Sequence, residues 1–84
     1  MNKPYAVVFT YSFDSETPIY LFETEEEAIK FLRDSFKEEV RIDTEENEWI
    51  CESEIEPDGR YAKITNHFYD GDDITEFHLG QIYL

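Results

Sequence analysis

Basic residues are scarce in this chain. Seven Lys and Arg stand against 21 Asp and Glu in 84 residues, a formal net charge of −14. So few bases, dispersed among so many acids, form no cationic patch, which argues against direct binding to a phosphate backbone. Cysteine is scarcer still. Cys51 stands alone, so neither an internal disulfide nor a cysteine-clustered metal site can form. That usage fits a reducing compartment and sets a cytoplasmic protein as the expectation. Three glycines cannot build a phosphate-cradling loop. No Ser or Cys lies in a nucleophile-elbow context. No apolar run approaches the roughly 20 residues of a membrane span, and the opening MNKPYAVVF lacks the apolar core of a secretion signal. These absences predict a soluble non-enzyme without cofactor, metal or membrane contact.

What is present is enough to fold. Seven Phe and six Tyr are far more than a disordered acidic segment carries. The clearest element is Thr24 to Val40, TEEEAIKFLRDSFKEEV. Thr24 and Glu27 have the spacing of a capping box. Glu25, Glu26 and Glu27 occupy the first turn, where the helix dipole favours anions. At about 100° per residue, Ala28, Ile29, Phe31, Leu32, Phe36 and Val40 share one half of the helix. The other half carries Glu26, Lys30, Arg33, Asp34 and Lys37, with Glu26 and Lys30 at a favourable i, i+4 spacing.

The rest reads as strand and turn. Tyr5 to Phe13 alternates, with Tyr5, Val7, Phe9 and Tyr11 on one face, and is predicted to be an interior strand. Ile19 to Phe22, after Pro18, has the length of an edge strand. Arg41 to Glu48 is polar and predicts a solvated loop, with room for a short strand at Val40 to Ile42. Trp49 to Glu56 alternates, placing Glu52, Glu54 and Glu56 opposite Trp49, Cys51, Ser53 and Ile55. Pro57-Asp58-Gly59 marks a hairpin turn. A two- or four-residue loop pairs Ile55 with Ala62, Glu54 with Lys63 and Ser53 with Ile64. A three-residue loop would mix the two faces, so the even loop is preferred. Arg60 to Phe68 is the returning strand, Tyr69 to Asp73 a second turn and Ile74 to Leu84 a last strand with a bulge at Gly80. The expected fold is a single α+β domain over 1–84. It has two layers, a four- or five-stranded antiparallel sheet with one helix (Glu25 to Glu39) across one face, in the order β-β-α-β-β-β. Leu32 is expected among the most buried residues, with Phe36, Val7, Phe9 and Ile64 around it.

Two clusters invite chemistry. Asp70, Asp72, Asp73 and Glu76 gather carboxylates, but without the spacing of a calcium loop, and an acidic turn is the simpler reading. His67 and His78 fall in one hairpin with no further ligand to complete a metal set. Tyr20, Tyr61 and Tyr69 are candidates for a protein interface or for partly buried sheet positions.

The ordered acids remain. Glu52, Glu54 and Glu56 lie on one strand face about 6.8 Å apart, close to the spacing of successive phosphates in a nucleic-acid strand. Asp43, Glu45, Glu46 and Glu48 extend that acidity, and Glu25 to Glu27 add to it. In size, charge and α+β layout the chain resembles small acidic inhibitors of phages and mobile elements, the anti-CRISPR and DNA-mimic proteins. That resemblance implies a non-catalytic inhibitor whose partner is a basic nuclease or other nucleic-acid-binding protein. Glu52, Glu54, Glu56, Asp43, Glu45, Glu46 and Glu48 are then the expected partner-binding residues. The alternative is a regulatory or immunity-type interaction module that binds through exposed aromatics.

Overall fold

The computed structural model describes residues 3–82. Its elements are β1 (Tyr5–Tyr11), β2 (Ile19–Phe22), α1 (Glu25–Arg41), a π-helical turn (Ile42–Glu46), β3 (Ile50–Ile55), β4 (Tyr61–Phe68) and β5 (Gly71–Gln81). The strands form one five-stranded antiparallel sheet in the spatial order β2-β1-β5-β4-β3. β1 and β2 make the first hairpin. The helix then carries the chain across the sheet to its far edge, and the β3-β4-β5 meander returns until β5 pairs with β1. Seventeen helical residues at 1.5 Å each span about 25 Å, enough to cross five strands about 4.8 Å apart.

The capping box forms as expected. The Glu27 amide donates to Thr24 Oγ1 at 3.2 Å, and the Thr24 hydroxyl donates to the Glu27 carboxylate at 2.9 Å. The buried face of α1 is Ala28, Leu32 and Phe36. Beneath it, strand alternation brings Val7, Ala62, Ile64 and Phe77 to one side of the sheet, and these seven residues make the core. Phe9 is only partly buried and packs at its margin, where Phe31 bridges it to Tyr20 and Phe22. Tyr20 joins this aromatic cluster through Phe9 and Phe31 while staying 42% exposed.

The 57–60 loop has the even length that parity favoured, with Glu54 opposite Lys63 and Ile55 opposite Ala62. Gly59 is buried beneath the helix with φ +73°, and a Cβ there would stand 2.7 Å from Arg33 Nε and 2.9 Å from Ile29 Cγ2. Only glycine meets both the left-handed backbone and that close approach.

Several expectations are corrected. The helix runs on to Arg41 and into the π-helical turn, so residues 40–46 form neither a strand nor an open loop. Asp43 is the physical reason: its carboxylate is buried, and Asn66 Nδ2 on β4 donates to it at 2.9 Å, pinning the turn against the sheet. Lys30 pairs with Asp34 at 2.6 Å rather than with Glu26. β5 begins at Gly71, so only Tyr69 and Asp70 form the tip and Asp72 and Asp73 belong to the ladder. Gly80 pairs regularly with Ala6, without a bulge. The expected last-strand residues Tyr83 and Leu84 lie outside the described residues.

Candidate partner-binding surface

The helix covers one face of the sheet and leaves the other open. Side-chain alternation puts Glu52, Glu54 and Glu56 on that open face, along the outermost strand and its continuation. All three are exposed. Register extends the row inward: Glu54 lies opposite Lys63, which lies opposite Glu76. Among the described residues no Lys or Arg is within ion-pair distance of Glu52, Glu54 or Glu56. Tyr61 donates its hydroxyl to the Glu76 carboxylate, and this bond, with burial and nearby acids, pushes the phenol up to about 12.

His67 sits on the same face. Its Nδ1 is 2.9 Å from Asp72 Oδ1 and its Nε2 is 3.6 Å from Glu52 Oε1. The bond to Asp72 raises its pKa, and the charges of Asp72 and Glu52 add to the effect. Protonated, this ring would partly neutralise one end of the Glu row. Asp73 faces the helix side, as alternation from Asp72 requires, so the carboxylates of residues 70–76 do not converge. Among the described residues no group of three or more acidic, His or Cys side chains is placed to hold a metal ion.

The residues after the helix separate by role. Asp43 is 3% exposed and cannot meet a partner, contrary to its placement on a solvated loop. Glu45 and Glu46 are exposed but drawn to Arg41, at 3.9 and 2.9 Å. Arg41 also holds Glu38 at 2.6 Å, which lowers the Glu38 pKa and raises that of the guanidinium. Glu48 is exposed, with φ 56° at the entry to β3. The structure thus brings Glu52, Glu54 and Glu56 together, sets Glu45 and Glu46 in a separate cluster around Arg41, and removes Asp43 from the surface.

A half-buried acidic group lies at the other end of the core. Burial first, then Asp43 and Glu38, raise the pKa of Glu39. Burial, with Asp43 and Glu39, pushes the Cys51 thiol up, so that it is a poor nucleophile. Asn66 Oδ1 is buried there without a hydrogen-bond partner among the described residues.

Charge is also segregated along the chain. Residues 42–84 carry twelve acids and two bases, a net of −10, against −4 for residues 1–41. Four of the seven bases, Lys30, Arg33, Lys37 and Arg41, are on α1. Glu76 and His67 are neighbours of the Glu row beyond those expected: His67 follows from the 57–60 hairpin register, whereas Glu76 depends on the two-residue tip Tyr69-Asp70, which the acidic stretch to Asp73 disguises. No helix among the described residues is long and apolar enough to cross a membrane. No family model, curated protein or solved structure matches the chain.

Proposed function

We propose that this chain is a non-catalytic acidic inhibitor that docks the open-face side of β3 in the basic groove of a nucleic-acid-processing protein. The observation that carries this reading is the row Glu52, Glu54, Glu56: exposed, evenly spaced on an edge strand, and free of Lys or Arg ion pairs among the described residues. Rigid placement on a strand preorganises the charges, so little ordering entropy opposes their use. The bases on α1 project from the opposite layer, which gives the molecule an acidic side and a mixed side. Glu48 and the cluster around Arg41 extend the acidity beyond the sheet.

Capture from a bacterial lysate on the immobilised chain, repeated with excess competing DNA, tests the reading. A basic nucleic-acid-binding protein released by the DNA is the expected result. A partner that does not bind nucleic acid and stays on the resin in excess DNA would overturn it.

One observation favours a second reading, the regulatory or immunity-type module. Tyr69 is fully exposed at the β4-β5 tip, and at the same end Trp49 packs edge-on against Phe68 while remaining 42% exposed. Binding through this aromatic end would hardly depend on ionic strength, whereas binding through the Glu row would weaken steeply with it.

A further inference from the structure

β2 and β3 are the two edge strands, and of these β3 is the one the helix leaves largely uncovered. The helix lies over β1, β5, β2 and β4. It reaches the β3-β4 hairpin chiefly at the turn, where Arg33 donates to the Pro57 carbonyl at 2.9 Å. Ile50 is 73% exposed and Ile55 is also exposed. The ladder register settles where the backbone of β3 points. Glu56 donates to the Tyr61 carbonyl, so the even residues Glu54 and Glu52 exchange bonds with β4. The N–H and C=O groups of Cys51, Ser53 and Ile55 are directed away from the sheet, as a template for another strand.

The two sides of this edge differ in chemistry. On the open face an incoming strand meets Glu52, Glu54 and Glu56. On the helix side it meets a groove lined by Phe36, Ile55 and Pro57, flanked by Arg33 and Lys37, with Glu56 at its hairpin end. Cations are thus attracted to the open face, whereas the groove, with two bases to one acid, favours apolar side chains. A second copy of this chain is disfavoured as occupant, because pairing two β3 edges would bring two Glu rows together.

We propose that β3 accepts an extended segment of the partner as a sixth, antiparallel strand, with Arg or Lys at alternate positions over the Glu row and apolar residues between them over the groove. This rests on the function proposed above and names how the partner is held: backbone pairing supplies affinity, and the two faces supply selectivity. An alternating sequence satisfies both faces at once. A block of bases of the same composition misplaces at least one Arg and one Val in either register.

The test uses two capped peptides of identical composition, Ala-Arg-Val-Arg-Val-Arg-Ala and Ala-Arg-Arg-Arg-Val-Val-Ala, titrated into the full chain at low salt. The alternating peptide should bind about tenfold tighter, because in the block peptide at least one Arg faces the groove and one Val faces the Glu row. It should also slow amide exchange at Cys51, Ser53 and Ile55. Ser53→Pro removes an outward-facing donor at an edge position that tolerates proline, and should bring the two affinities together. Equal affinities for the unaltered chain, without new protection at those amides, would overturn edge pairing and leave the acidic-surface reading standing. Failure of both peptides to bind would overturn both.

Discussion

Replacing Asp43 separates a structural acid from the surface acids around it. Its carboxylate is 3% exposed and accepts from Asn66 Nδ2, while Asn66 Oδ1 has no partner among the described residues. Asp43→Ala strips that buried amide of its remaining hydrogen bond. Leaving a buried donor unsatisfied costs about 1–3 kcal/mol, and loss of a bond to a charged acceptor falls toward the upper end, so about 2–3 kcal/mol is expected. For a domain of this size that is a fall in Tm of roughly 10–20 °C. Asp43→Asn should behave differently. It keeps an acceptor for Asn66 Nδ2, brings a donor beside an amide oxygen that has none, and removes a buried charge near Glu39. Its stability should lie within about 0.5 kcal/mol of the parent or above it. Urea denaturation followed by circular dichroism measures both variants, with an unchanged m-value required for the comparison. Equal destabilisation by Asn and Ala would refute the reasoning, because the charge itself would then be what holds the turn.

Other expectations follow from the same structure. Leu32 is fully buried over Val7, Ala62 and Ile64, and Leu32→Ala should cost about 2–5 kcal/mol by urea denaturation; a loss below about 0.5 kcal/mol would mean that this face is not the core. Glu39 has a folded-state pKa raised above its unfolded value. Its contribution to stability is therefore present at acid pH, below the unfolded value, and is lost as pH rises through the folded one. Glu39→Gln should accordingly raise Tm at pH 7, with the gain vanishing at acid pH; a gain that does not change with pH would contradict this. Added salt should raise Tm between low and moderate ionic strength by screening like charges, and a flat response would show that the acids do not repel one another in the fold.

What the sequence disclosed depended on whether a local rule settled the matter. Capping at Thr24, the helix face through Leu32 and the parity of the 57–60 loop follow from spacing alone, and each is present in the structure. The short Ile19–Phe22 edge and the interior position of β1 follow likewise from length and alternation. Residues 40–46 read as a loop because Asp43 looks solvated until Asn66, 23 residues later, supplies its donor. No local pattern reveals that pairing. Gly80 suggested a bulge, yet the ladder with β1 continues through it in register, a long-range fact. The identity of β3 as the outer edge, which decides the candidate site, depends on β5 pairing with β1. That choice arises from tertiary burial of Phe77 against Val7 and Leu32, and periodicity in one strand cannot express it.

Glu52, Glu54 and Glu56 are proposed to meet a basic partner. The most direct measurement is the association rate of the captured partner with the parent chain and with the Glu52→Lys/Glu54→Lys double variant, over a range of ionic strength. Electrostatic steering predicts that the double reversal slows association by about tenfold or more at low salt, while thermal unfolding shows the fold intact. It also predicts that the parent rate falls steeply as salt is added. Equal association rates for the two proteins, insensitive to salt, would contradict the account.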